Sequence, residues 1–439
     1  MLKRMEKPGL RWFGSVGVSL ALLARAVQVV ATIVVVLTPG LCAGVARMAV
    51  GNRTAGSRHL YRRIRVLLTR LGPTFVKAGQ VLGTRRDVLP AVLCDELCLL
   101  ADSVAPLDAV STRSGLHQAY GTDLEGVFGH IDSRPIASGS VACVYKGTLP
   151  SGGEVAIKLR RPDIEHVMRR DLALIRRGAA VVARLPAFRG MPVTDVVAAM
   201  CGAVLNQLDF AREAASLRRL RDNLSTVPRI WVPRVHAEAS RPRCIVMEFI
   251  PDLDIGSAAK CPPAMRRQFA VSALTAIYHM LFVDGFVHCD LHPGNLYFTR
   301  VGEVVVLDAG FSVQLSERLR RLFAEFFLNM AVGRGRRCAE IVIESSVGAH
   351  ESADREGFIT LMAELVERSH GLPAKDFSLL AFAGEMFDLQ RKHGIHAAPE
   401  LIFPLLSLLV IEGTIRDLDP GIDFQEVARP VLNRGLFGS

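Results

Sequence analysis

Asp290, Asn295 and Asp308 lie within one short stretch of this chain, and their spacing constrains its fold more than any other feature. The run His288-Cys289-Asp290-Leu291-His292-Pro293-Gly294-Asn295 is followed, after an apolar strand, by Leu307-Asp308-Ala309-Gly310. Two carboxylates and a carboxamide so arranged meet around one triphosphate only if a loop and the next hairpin return to a common crevice. In that geometry Asp290 faces the attacking hydroxyl, while Asn295 and Asp308 hold magnesium bridging the phosphates. The expected cofactors are ATP and Mg2+.

The lysine that such a site needs is present upstream. Val155-Ala156-Ile157-Lys158 alternates apolar side chains as a strand does and aims an ammonium at the α- and β-phosphates. Before it, residues 136–145 read as strand, small-residue turn and strand, with Ala137, Ser138, Gly139 and Ser140 as a phosphate-covering loop. After it, residues 243–250 form an apolar strand running into Pro251, the connection between two lobes, and Met247, Glu248 and Ile250 are the adenine-pocket candidates. Each pattern alone recurs by chance, and a buried-edge lysine or a loop-capping Asp is the ordinary alternative. Their co-occurrence in this order favours the nucleotide site.

Composition decides what surrounds that site. With 439 residues, 50% apolar and 22% charged, the chain has room for two or three folded units and is not disordered. Residues 1–70 carry twelve Lys and Arg against the single acid Glu6, more than the whole chain's formal net charge of +10. This basic arm brackets an apolar run, residues 13–46, whose only charge is Arg25. Without aromatic-basic interleaving, attraction to anionic lipid headgroups is a better account than nucleic acid, which is not expected as a partner. Residues 26–46 have about the length of a bilayer span. Because Pro39-Gly40 interrupts them and both flanks are basic, an interfacial or re-entrant hairpin, 14–37 and 41–50, suits the charge rule better than a simple span; a buried core helix is the alternative. The expectation is a membrane-associated protein with its catalytic part in the cytoplasm, at the inner membrane if bacterial. Nine cysteines include no Cys-x-x-Cys pair or zinc-spaced cluster, so they read as small core residues, Cys289 included.

The remaining patterns give the organisation. An apolar and basic segment, 1–55, precedes a helical extension, 56–125, in which Leu60, Ile64, Leu67, Leu68 and Leu71 share one helix face. Strand-type alternation opens a small nucleotide lobe, 126–250, interrupted by a helical insertion, 162–206. A larger α-rich lobe, 251–439, follows, with helices expected at 262–284, 316–332, 354–370, 378–393 and 399–416. The fold class is α+β, two-lobed and protein-kinase-like, preceded by an apolar membrane segment.

These residues together resemble the UbiB/AarF family of atypical protein-kinase-like proteins over about residues 56–430. Four elements carry the resemblance: Lys77 to Gln80 as a Lys-x-Gly-Gln motif; the alanine-type loop at 137–140; the Asp-Leu-His-Pro-Gly-Asn loop from Asp290; and Glu412-Gly413 with Leu418-Asp419-Pro420. The resemblance implies catalytic roles for Asp290, Lys158 and Glu213, with Glu213 pairing to Lys158, and metal binding by Asn295 and Asp308. It also implies that Lys77, Gly79 and Gln80, seated by Gln207 and Asp209, fold over the cleft and hinder protein substrates. ATP hydrolysis or small-molecule phosphorylation supporting ubiquinone or other isoprenoid-lipid biosynthesis is then expected over Ser/Thr protein phosphorylation or a non-catalytic nucleotide-binding scaffold. Implied partners are membrane lipids, isoprenoid or quinone precursors among them, and a lipid-biosynthetic enzyme complex.

The chain departs from the family pattern in places. Gln207 stands where a Glu is usual, a neutral hydrogen bond in place of a charge-assisted one. Gly139 enters the alanine-type loop, and Ala309 replaces the Phe of Asp-Phe-Gly. The apolar C-terminal helices of bacterial relatives have no counterpart before Ser439.

Overall fold

The computed structural model describes residues 20, 22–38, 53–83, 89–100, 104–185, 193–253, 258–291, 294–346, 354–372, 376–396 and 399–438. Two units separate. The first comprises Met1–Gly83, Val92–Ser103 and Asp163–Leu205; the second comprises Thr84–Ala91, Val104–Pro162 and Asn206–Ser439.

The first unit is helical: α1 (Leu22–Thr38), α2 (Arg53–Leu71), α3 (Pro73–Gly83), α4 (Ala91–Cys98), α7 (Ile164–Val182) and α8 (Val193–Asn206). Gly72, at φ +102°, breaks the chain between α2 and α3, and Pro73 starts the next helix because its missing N–H costs nothing there. The expected stripe on α2 is real: Leu67 and Leu71 are buried with Phe75 of α3 and Val36 of α1, and Ile175 of α7 packs against them. The insertion helices thus belong with the N-terminal helices, and α3 packs on α7.

The only charge of the apolar run is bound within this unit. Arg25 forms a two-pronged ion pair with Asp171 of α7, Nε to Oδ1 and Nη2 to Oδ2, both 2.9 Å, and also donates to the Leu71 carbonyl at 2.7 Å. Asp171 is 1% exposed. The opposite face of α1 exposes Leu23, Val27, Val30, Val34 and Val35. So α1 is neither a free membrane arm nor a core helix: one face packs and the other is apolar and uncovered within its unit. No single helix among the described residues is long and apolar enough to cross a membrane, and the second expected hairpin arm, 41–50, lies outside the described residues.

In the second unit a five-stranded antiparallel sheet is ordered β1 (His130–Ile131), β3 (Ala142–Thr148), β4 (Glu154–Arg160), β6 (Cys244–Glu248), with β2 (Ala137–Ser138) also on β3. β1 and β2 lie end to end along the same edge of β3, one strand interrupted, so the lysine strand β4 is the third. Along β4, Val155, Ile157 and Leu159 are fully buried, and Ala156 and Lys158 turn to the other face. The buried side packs on α5 (Ala109–Tyr120) and on Phe128, just past the short α6 (Leu124–Val127). Gly115 permits this, since a Cβ there would meet Leu159 Cδ2 at 3.3 Å. Helix α9 (Phe210–Asn223) follows the insertion, with Asp209 as its N-cap, accepting from the Arg212 amide at 3.0 Å.

The rest is α-rich: α10 (Pro263–Tyr278) running into a wide turn at His279–Asp284, four three-residue strands, then α11 (Glu317–Ala331), α12 (Gly335–Glu344), α13 (Arg355–Ser369), α14 (Leu379–Lys392), α15 (Pro399–Leu418) and α16 (Phe424–Phe437). Ser316, Asp354 and Ser378, expected as first residues of their helices, are N-caps whose side chains accept amide protons. Two helices go beyond the expectation. Gly335 opens α12 because a Cβ there would lie 2.6 Å from the Ala363 backbone of α13, and Gly435 in α16 lets that helix approach the Phe282 carbonyl.

Glu412 of α15, an element of the family resemblance, has a structural task. Its carboxylate, 3% exposed, accepts from the amides of Leu379 and Leu380 at 3.1 and 2.6 Å and pairs with Arg416 at 3.0 Å. It therefore caps α14. Glu412→Gln lowers stability by about 1–3 kcal/mol, read by denaturant unfolding, because one buried amide loses a charged acceptor.

Candidate nucleotide site

Lys158 stands at the centre of the site because strand alternation points it away from the core. Its Nζ donates to Glu213 Oε1 at 2.6 Å and to Asp308 Oδ2 at 2.9 Å. Glu213 sits one turn into α9, set there by the Asp209 cap. Glu213 lies 55 residues past Lys158 because α7 and α8 intervene.

Asp308 follows β9 (Val304–Val306) of a small sheet in which β9 lies between β5 (Ile230–Trp231) and β8 (Leu296–Phe298). It has φ +52°, a left-handed conformation that Asp tolerates better than most residues, and it accepts from its own Gly310 amide at 3.2 Å. Its side chain is 44% exposed.

His288 at the end of β7 (Phe286–His288), which pairs with β10 (Ser312–Gln314), brackets the loop that carries Asp290. Its ring is fully buried; Nε2 donates to the Leu307 carbonyl at 3.0 Å and Nδ1 accepts from the Asp290 amide at 3.1 Å. Those two bonds fix one neutral tautomer, and burial holds its pKa below the usual value although Asp290 and Asp308 both pull upward. Asn295 closes the circuit: Nδ2 donates to the Asp290 carbonyl at 2.8 Å, and its own carbonyl accepts from the Leu307 amide at 2.8 Å. Lys158, Glu213, Asp290, Asn295 and Asp308 are thus joined through one hydrogen-bonded framework. The sequence reading passed over His288 as a positioning group, although its place two residues before Asp290 was visible.

The phosphate-loop candidates lie on β2 and the turn after it. Arg161, at the end of β4, holds that turn: Nε donates to the Gly139 carbonyl at 2.9 Å, and Nη2 to Ser138 Oγ at 2.9 Å and Ala105 O at 2.7 Å. This clamp was not anticipated. Ser140 is 1% exposed, and its hydroxyl has no partner among the described residues. Met247 and Ile250 are buried at the end of β6 and just beyond it. Glu248 turns its carboxylate to the Arg234 amide at 3.0 Å and the Trp231 indole at 3.3 Å, so its side chain fastens the connection between lobes.

Lys77, Gly79 and Gln80 lie on α3 of the first unit. Gly79 is required by packing, since a Cβ would fall 2.5 Å from Leu100 Cδ1 and 2.7 Å from Leu68 Cδ1. Gln80 donates to the Leu100 carbonyl at 2.9 Å. Gln207 precedes the Asp209 cap in the second unit. Cys289 is buried with its thiol against the Val287 carbonyl, and burial raises its pKa well above the ordinary thiol, which makes it a packing residue.

Residues 99–342 match the ABC1 atypical kinase-like domain, and residues 362–423 match the UbiB helical domain. The chain belongs to the UbiB family of atypical kinase-like proteins. It is 32% identical over 386 residues to the probable protein kinase UbiB of Pseudomonas fluorescens, covering 85% of this chain and 71% of that one. The corresponding Xylella fastidiosa protein is 33% identical over 386 residues, covering 85% and 69%. Rv3197 of Mycobacterium tuberculosis, solved as a complex with erythromycin, shares the fold: TM-score 0.56, 20% identity, covering 82% of this chain and 91% of that one. A kinase-like domain implies a nucleotide ligand.

The charges at this UbiB-family site are unequal, two carboxylates against one ammonium. Desolvation and the Asp308 carboxylate push Glu213 up to about 7 despite Lys158, while the two carboxylates raise Lys158 above the usual lysine value against the pull of burial. A buried acid whose pKa is raised on folding stabilises the fold below its unfolded value, near 4.5, and loses that contribution as pH rises through about 7. Glu213→Gln in the protein without nucleotide or metal therefore raises the melting temperature by a few degrees or so at pH 8 and changes it little at pH 5. Thermal unfolding at the two pH values checks this.

Proposed function

We propose that the protein is an ATP- and magnesium-dependent atypical kinase or ATPase, associated with membranes, that supports ubiquinone or other isoprenoid-lipid biosynthesis. The observation that carries the reading is the Lys158 ammonium bonded to both Glu213 and Asp308. It supplies a phosphate-binding cation beside a metal-binding carboxylate.

The residues suit both ligands. Asp308 and Asn295 are an oxygen donor set of the kind magnesium uses when phosphate oxygens and water complete its shell. When bound, magnesium neutralises charge developing on the phosphates. Lys158 binds the α- and β-phosphates and Glu213 orients it. Asp290, its main chain fixed by His288 and Asn295, receives the proton of the attacking hydroxyl or water. Ser140, a buried hydroxyl lacking an acceptor, gains one in a phosphate oxygen.

Membrane association rests on α1. Its uncovered face carries Leu23, Val27, Val30 and Val34 at helical spacing, and basic residues flank the run in the sequence. That combination suits a helix lying in the interface of an anionic bilayer. The Lys77, Gly79 and Gln80 element, with Gln207 and Asp209, belongs to this reading as a restraint on protein substrates. The ubiquinone connection rests on the name UbiB borne by the relatives.

The test measures ATP hydrolysis by the full chain with and without magnesium, anionic liposomes and a generic protein substrate. Hydrolysis that needs magnesium and rises with liposomes supports the proposal. Nucleotide binding without any turnover replaces it with a scaffold, and efficient phosphorylation of the protein substrate replaces it with a protein kinase.

A further inference from the structure

Away from the nucleotide residues, four helices of the second unit line an apolar cleft that is partly open to solvent. Phe323, Phe326 and Phe327 of α11, Val342 of α12, Phe387 of α14 and Leu405 of α15 form most of its wall. Among the described residues, no charged one lines it. Two polar side chains do. Ser345 is satisfied, donating to the Val342 carbonyl at 2.9 Å. Gln390 is not: it is 1% exposed and its Oε1 has no hydrogen-bond partner among the described residues.

A buried amide oxygen without a donor is destabilising, and an apolar side chain of similar volume would remove the penalty. Water is a poor remedy, because a buried water needs two to four polar partners and this wall offers one amide and a hydroxyl whose proton is already committed. A molecule with an apolar body and one hydroxyl answers both requirements. Its body covers the phenylalanine rings, and its O–H donates to Gln390 Oε1.

The geometry points to a second ligand site here, for a slender aliphatic alcohol, independent of the nucleotide reading. Apolar walls with few convergent polar groups are the rule for small-molecule pockets. Gln390 supplies selectivity for alcohol over alkane, and the aromatic wall supplies affinity.

The experiment titrates 1-decanol, and n-decane at equal concentration, into the full-length protein and follows thermal unfolding and direct binding. In the wild type decanol binds about tenfold more tightly than decane, the usual scale for one hydrogen bond to a buried group. Gln390→Leu abolishes that preference, keeps decane binding and raises the melting temperature of the ligand-free protein. Val342→Phe, which fills the cleft, removes both ligands while nucleotide binding reports that the protein is folded. An unchanged preference in Gln390→Leu, no decanol binding by the wild type, or a Gln390→Leu protein less stable than wild type would each overturn the assignment. The last outcome means that water satisfies the amide.

Discussion

Asp308→Asn reduces magnesium-dependent ATP turnover by about a hundredfold or more while leaving the fold intact. The substitution keeps the shape of the side chain and can still accept from the Gly310 amide, and Asn, like Asp, tolerates the left-handed backbone at φ +52°. It removes the charge alone. The metal loses its only carboxylate ligand in this reading, and Lys158 keeps only Glu213 as a partner. Loss of one preorganised electrostatic group at a transferring phosphoryl costs on the order of a hundred- to a thousandfold. Steady-state hydrolysis against magnesium concentration, with thermal unfolding alongside, measures both effects. Lys158→Ala lowers turnover comparably but through nucleotide affinity as well, since the ammonium contacts phosphate in ground and transition states alike. Full hydrolysis in both variants would remove the site assignment.

How much of this was written in the sequence depends on the range of the interaction. Strand alternation at 155–159 is local and gave the face of Lys158 directly; the N-caps Ser316, Asp354 and Ser378 were likewise in the right places, one residue ahead of their helices. The helices α12 and α16 were not expected, and Gly335 and Gly435 each sit in one because another element's backbone passes where a side chain would be. The site was legible in its chemical groups, less so in its supports. Arg161, clamping the turn after β2, and His288, tying Asp290 to Leu307, act through backbone carbonyls and amides that no residue pattern encodes. Glu412 illustrates the converse: an element singled out by resemblance is a buried helix cap, a role that becomes visible only when α14 and α15 are placed together.

Arg25→Met destabilises the first unit by about 3 kcal/mol, because it strands a carboxylate that has almost no solvent. Asp171 is 1% exposed and takes both prongs of the Arg25 guanidinium. The remaining cation nearby, Arg170, lies with Nε 3.6 Å from Asp171 Oδ1, too far for a hydrogen bond but close enough to limit the loss to the lower end of the range for a broken buried pair. The Leu71 carbonyl at the end of α2 also loses a donor. Hydrogen exchange then accelerates across α1 and the end of α2 before the second unit responds. The double variant Arg25→Met with Asp171→Leu separates charge from packing: restoring an apolar pair at equal volume recovers most of the protection if the penalty is the stranded carboxylate. If the double variant is as labile as the single one, the guanidinium's bond to Leu71 and its place over the Phe75 ring, 5.8 Å away, hold α1 instead. Because Arg25 binds α7 from one face of α1, the apolar residues stay on the opposite face, the one on which the proposed lipid contact rests.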